Sequence, residues 1–427
     1  MADAITGTRG WRYHPERDAL LAEAHARPYA PLELPMLATR IATLSGQDGA
    51  DIDRRHMTAL CRRLGQAEPS PDSRWCAMDA GNWRLRWERH TEFSTWTFFR
   101  TAARAHPFAE SALDLAPVDW LAALPGEVLV ATNLELRGKE GGPSPTKMLG
   151  ADAIGARILD GAASVFTDLR PDASGKTRYL VLMNTPDAAL TGRLAIRMME
   201  LETYRLMALL AFPLAGTTAR RLTRMEERAG EIAAQLAREA GDDRALLDSL
   251  VTLAAEAEAL SGETSFRFGA ARAYYNIVLD RIASLREQPI EGLQTLGEFM
   301  ERRLAPAMRT CDAVFGREQA AIERIARTER MLNTRVEVAA EATSAALLRS
   351  MDRRARLQLR LQQTVEGLSV VAIAYYALAL LTYVIKAVGR VRPLDETLWA
   401  GIAAPLVLLA VWLALRRLRS KLRVGED

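Results

Sequence analysis

Two apolar blocks near the end of the chain interrupt an otherwise regular mixture of hydrophobic and polar positions. Residues 367–385 (GLSVVAIAYYALALLTYVI) hold no charge and are long enough to cross a hydrocarbon core of roughly 30 Å. Residues 397–415 (TLWAGIAAPLVLLAVWLAL) repeat the pattern. Trp399 and Trp412 stand near the two ends of this second block, about 20 Å apart at helical rise, where interfacial aromatics belong. Tyr383 takes that place in the first block. A third apolar stretch, 206–216 (LMALLAFPLAG), is too short to span and contains Pro213, so it reads as core. Arg353, Arg354, Arg356 and Arg360 precede the first block; Arg416, Arg417, Arg419, Lys421 and Arg423 follow the second. Positive charge is retained on the cytoplasmic side, which predicts two spans, an external loop at 386–396 and a basic cytoplasmic tail at 416–427.

Upstream, the period of the pattern changes once. Residues 84–101 (RLRWERHTEFSTWTFFRT) alternate large apolar and polar side chains and read as a hairpin. Residues 162–169 and 177–183 flank the turn signal PDASGK, 126–136 reads as a further strand, and 51–65 as a helix. Residues 1–185 are therefore expected to form an α+β cytoplasmic domain around an antiparallel or mixed sheet. From Pro186 the period is helical, predicting a bundle over 186–290 and a stalk helix over 291–366 that runs on into the first span. Breaks are expected at Gly241-Asp242-Asp243, at Ser261-Gly262 and at Gln288-Pro289. Ile322, Ile325, Leu332, Val336 and Ala339 form a seam along the stalk, prolonged by Leu348, Met351, Ala355 and Leu359. That seam, with small residues in the spans (Ala372, Ala374, Gly401, Ala403, Ala404), predicts a homo-oligomer in the bilayer.

Composition narrows the function classes. The 427 residues carry 56 basic and 53 acidic side chains, a net charge of +3, which argues against a nucleic-acid partner. A hydrophobic share of 49% excludes a wholly disordered chain. The three cysteines, Cys61, Cys76 and Cys311, fit no metal spacing and no disulfide framework, which points to a reducing compartment. The N-terminal stretch lacks the apolar core of a secretory signal.

Two clusters carry candidate chemistry. Glu88, His90 and Glu92 alternate, which on one strand would put all three on a single face. A His between two carboxylates can hold a divalent ion or act as a base, against the plainer reading of a salt-bridged face beside Arg86 and Arg89. His25 and Arg27 precede Pro28 on a constrained turn, where Arg27 suits an anion or carboxylate, again beside a purely structural reading. Ser174-Gly175-Lys176-Thr177 ends like a phosphate loop, but Arg170 stands where that loop needs Gly, and the segment lies between two strands. No complete catalytic motif is present, so the chain is read as a non-enzyme with no resident cofactor or metal.

AHARP at 24–28, WERHTEFSTWTFF at 87–99, RRLAPAMRTC at 302–311 and TVEGLSVVAIAYY at 364–376 resemble the signatures of a bacterial family of uncharacterised membrane-anchored proteins. The likeness extends over nearly the whole chain, with Ala24 in place of a Leu and Ala374 in place of a Ser. It implies an anchor in the bacterial inner membrane and brings no activity. The layout is also similar to that of CorA-type magnesium transporters, although Lys386 to Arg390 occupy the region where their Gly-Met-Asn signature would lie. The function expected is a membrane-anchored cytoplasmic protein, an oligomeric scaffold or binding module whose partners are the lipid bilayer, further copies of itself and a protein met by the N-terminal domain. The alternative is a divalent-cation transporter.

Overall fold

The computed structural model describes residues 13–18, 20–21, 29–46, 49–101, 107–139, 145–150, 152–238, 242–389 and 396–423; His25 and Arg27 lie outside them. Among the described residues the strands are β1 (Met36–Leu44), β2 (Trp75–Asp79), β3 (Arg84–Arg89), β4 (Phe93–Thr101), β5 (Glu127–Gly138), β6 (Ile154–Ile158), β7 (Ala163–Pro171), β8 (Thr177–Met183) and β9 (Gln288–Pro289). They form one mixed sheet in the order β2-β3-β4-β1-β5-β8-β7-β6-β9. Neighbours run antiparallel except β5 and β8, which are parallel. The β7–β8 turn is closed by Asp172, whose Oδ1 accepts from the Ser174 and Lys176 amides at 2.8 and 3.1 Å, with Gly175 at φ +79°. The phosphate-loop look-alike is thus a hairpin turn.

The helices are α1 (Ala50–Arg63), α2 (Val118–Ala122), α3 (Pro145–Leu149), α4 (Ala188–Leu209), α5 (Ala211–Ala237), α6 (Asp243–Leu285), α7 (Leu296–Gly389) and α8 (Glu396–Arg423). Alternation along the strands feeds two cores. Leu85, Trp87, Trp96 and Phe98 point to one side and pack with Met57 and Leu60 of α1 and Trp120 of α2. Met36, Ala38, Leu134, Tyr179 and Val181 point to the other, beneath Leu194, Met198 and Leu201 of α4, Phe268 and Val278 of α6 and Leu296 and Met300 of α7. Helices α4 and α6 and the start of α7 therefore cover this face of the sheet.

Asp242 caps α6 by accepting from the Arg244 amide at 3.0 Å, and the helix ends where Arg286 turns left-handed at φ 48°. The break expected at Ser261-Gly262 is absent, and α6 runs through it. A helical Gly costs about 1 kcal/mol, which burial of Leu260 and Thr264 on either side outweighs. Pro306 likewise lies inside α7 without ending it.

The chain divides into two compact units, Met1–Glu329 and Arg330–Asp427. In the second, the α7 seam residues Leu348, Met351 and Leu359 are exposed at 65%, 58% and 59%. Toward its end α7 contains an 18-residue window of mean hydropathy 2.1, of which 6% is buried. Among the described residues this one helix is long and apolar enough to cross a membrane. Among the described residues the apolar run of α8, Ala404–Ala414, falls short of the roughly 20 residues a span needs, so the structure offers one span candidate where two were expected. Tyr383 and Trp412 are exposed at 74% and 53%. Arg417 is exposed, while the side chains of Trp399 and Arg416 lie outside the described residues.

Candidate functional site

Strand β3 (RLRWER) has two faces. Leu85 and Trp87 turn toward α1 and α2, while Arg84, Arg86 and Glu88 turn toward the α4 side. Register places Ala77, Arg86, Thr97, Arg40 and Thr132 side by side across β2, β3, β4, β1 and β5. This is a polar row through the middle of a hydrophobic sheet. Arg40 is 2% exposed and Glu88 7%. The Arg40 Nε donates to Thr97 Oγ1 at 2.9 Å, and Arg86 donates to Glu88 at 2.8 Å. Glu88 also lies 3.9 Å from the Arg40 guanidinium, too far for a hydrogen bond. The Arg40 Nη2 and the Thr95 and Thr132 hydroxyls have no hydrogen-bond partner.

Burial alone would raise the Glu88 pKa; the Arg40 and then the Arg86 guanidiniums outweigh it and hold the carboxyl below its ordinary value. Burial lowers the Arg40 pKa against the pull of Glu88. Above the row, Glu200 of α4 accepts from Arg281 of α6 at 2.7 Å. Tyr204 is pushed up to about 12, chiefly by burial and then by Glu200.

On the same sheet face, beyond the edge of α4, lies a cleft of about 460 Å³. Its floor is Trp75 and Ala77 of β2, Arg84 and Arg86 of β3 and Phe99 of β4; its roof is the segment 29–32 and Gly192 and Ile196 of α4. That segment lies directly on the helix. The Leu32 amide donates to the Ala188 carbonyl at 2.9 Å, and a Cβ on Gly192 would meet the Ala30 carbonyl oxygen at 2.1 Å. Gly192 is therefore what allows the roof to close.

The expected triad does not share a strand. β3 ends at Arg89 and β4 begins at Phe93, so His90 to Glu92 make the hairpin turn, with the His90 amide donating to the Phe93 carbonyl at 2.8 Å. Glu88 goes to the arginine row. Glu92 leaves the sheet and accepts from both terminal nitrogens of Arg267 (3.0 and 2.5 Å) and from Tyr274 Oη (2.9 Å), all on α6. His90 stacks on Phe93, ring centroids 4.3 Å apart. Two clusters escaped the sequence reading. Asp53 accepts from Ser45, Ser94 and Arg89 at 2.6, 2.6 and 2.9 Å on the α1 side of the sheet. Glu202 accepts from Thr177, Tyr179 and Arg205 inside the other core. Among the described residues no group of three His, Cys, Asp or Glu side chains converges as a metal site.

The fold disfavours the thiolate form of its cysteines. Burial raises all three, with Cys76 pushed up to about 12 and Cys311 to about 11. Alkylation by iodoacetamide at pH 7.5 is expected to be at least tenfold slower in the native protein than in denaturant, followed as carbamidomethylation at each site by mass spectrometry. Fast native labelling of Cys76 would show that β2 opens at the sheet edge.

Fold and site together define an α+β unit with an edge cleft of ligand size, in a chain with one membrane-length apolar helix among the described residues. The chain belongs to the family described as protein of unknown function (DUF3422), whose profile matches residues 12–422. This agrees with the family resemblance carried by its sequence blocks. No curated protein and no solved structure matches it.

Proposed function

We propose that this is a membrane-anchored binding module: the apolar end of α7 lies in the bacterial inner membrane, and the unit Met1–Glu329 works on the cytoplasmic side through its edge cleft. The cleft is the observation that carries the reading. It has the volume of a small-molecule site, mostly apolar walls and a few charged side chains, in a sheet otherwise packed on both faces. The basic residues Arg353, Arg354, Arg356 and Arg360 ahead of the span favour the cytoplasmic orientation. The exposed seam of Leu348, Met351, Ala355 and Leu359 favours self-association through α7, which would hold several clefts at one patch of membrane.

Full-length protein is expected to stay with the membrane pellet through high salt and alkaline wash. In the variant Ile373→Asp/Leu380→Asp each charge costs about 2.5–3.5 kcal/mol at the span centre, so the chain should move to the soluble fraction. Release of the wild type by alkali would overturn the anchor. Mass measurement in nanodiscs reads the association, and a strict monomer would remove that part of the proposal.

A further inference from the structure

The cleft has a direction. Its walls are apolar along most of their length: Leu32, Trp75, Ala77, Phe99 and Ile196. Its charged side chains are Asp79, Arg84 and Arg86. Asp79 and Arg84 face each other across the β2–β3 pair and are of opposite sign. Arg86 is different, being 9% exposed and set in the row that leads under α4. On the far side of the Glu88 carboxylate from Arg86 stands the buried Arg40, with a terminal nitrogen that makes no hydrogen bond. Buried guanidiniums are stable when carboxylates face them, and an open buried donor is costly. The Thr95 and Thr132 hydroxyls, also without partners, adjoin the same row. The arrangement is a greasy slot that ends on the buried Arg86 guanidinium, with Arg40 behind it and outside the lining.

Resting on the cleft as the binding site, we infer that its ligand is an amphipathic organic monocarboxylate, a single alkyl or aryl body with one anionic head, free rather than part of a two-tailed lipid. The apolar body lies between Trp75, Phe99 and Ile196, and the carboxylate meets the Arg86 guanidinium. A guanidinium meets a carboxylate through charge-assisted N–H donation, which is weaker to a neutral alcohol and is opposed by an ammonium. The field from Arg40 behind Arg86 adds to the preference for an anion. Glu88, already present, restrains the site to one negative charge and disfavours a dianionic phosphate.

The test is calorimetric titration of full-length protein in nanodiscs with octanoate, 1-octanol, octylammonium and octyl phosphate, each corrected by titration of empty nanodiscs. Octanoate is expected to bind saturably and at least tenfold more tightly than the other three. Arg86→Gln should abolish that preference while leaving octanol affinity within about twofold. Ala77→Trp, which fills the floor of the cleft, should abolish binding of every probe, with circular dichroism confirming that both variants fold. Equal affinity for octanoate and octanol overturns the carboxylate assignment and leaves the cleft reading standing. Preference for octyl phosphate overturns it in the same way. Failure of all four probes to bind, or unchanged binding in Ala77→Trp, overturns the cleft reading and this inference with it.

Discussion

Glu202→Leu is expected to destabilise the protein by about 3–5 kcal/mol, the usual cost of removing one partner from a buried charge pair. Glu202 is 0% exposed on the inner face of α4, and four donors depend on it. Thr177 Oγ1 and Tyr179 Oη reach it at 3.0 Å from β8, and Arg205 brings two nitrogens at 3.0 and 2.7 Å from one turn further along the helix. Burial would lower the Arg205 pKa, yet Glu202 more than compensates and holds it above its ordinary value. Leu at 202 would leave that guanidinium charged in a core with nothing to accept from it. At about 2–4 °C per kcal/mol for a large domain, the thermal midpoint should fall by about 6–20 °C, measured by differential scanning calorimetry. The double variant Glu202→Leu/Arg205→Met should regain most of the loss, because the stranded charge leaves with its partner. A double variant as unstable as the single would show that Glu202 acts mainly through Tyr179 and Thr177.

Local pattern sufficed wherever an element declares itself over a few residues. The hairpins β3–β4 and β7–β8 follow from period-two alternation around short polar turns, and α1 and the helices after 186 follow from their own spacing. The mixed sheet was legible only as a class. Its centre, β1, reads MLATRIATL: Met36, Ala38, Arg40 and Ala42 on one face, Leu37, Thr39, Ile41 and Thr43 on the other. Neither face is cleanly polar, because both are buried, so no alternation marks it. The parallel β5–β8 contact joins strands some forty residues apart in sequence and has no local signature at all.

The site was less legible for a related reason. Glu88, His90 and Glu92 attract notice by spacing, but a hairpin shorter than its alternating pattern sends two of them off the strand. The position of the turn depends on pairing with β4, which spacing cannot see. Arg86 entered the sequence reading only as a salt-bridge neighbour on the face of Glu88. Its importance arises from Arg40, forty-six residues earlier and two strands away, and from the roof laid over it at Gly192. An arginine in the middle of an apolar nine-residue strand is the one local signal that pointed to a buried polar row. Membrane length, by contrast, is a property of a single uninterrupted run, which is why the apolar end of α7 could be read directly and a ligand could not.

The arginine row makes the second large prediction, an asymmetry between its members. Glu88→Gln removes the carboxylate lying between two guanidiniums and should cost about 3–5 kcal/mol. Arg40→Met should cost far less, within about 1 kcal/mol, or stabilise. It removes a charge that burial already disfavours and an Nη2 that no partner satisfies, leaving Arg86 and Glu88 as a matched pair. The pH profile separates the two further. The Glu88 carboxyl titrates below its unfolded value, so its contribution is fully present above the ordinary carboxylate pKa of 4.5 and is lost as pH falls through the lower, folded value. Glu88→Gln should therefore lose less stability than the wild type on acidification below about pH 4.5. Arg40→Met relaxes the largest force depressing that pKa and should bring the acid loss to a higher pH. Denaturant midpoints of the three proteins between pH 7 and pH 3 measure both effects. An Arg40→Met variant as damaged as Glu88→Gln would mean that Arg40 is satisfied in the free protein, and the positive field at the inner end of the cleft would lose its source.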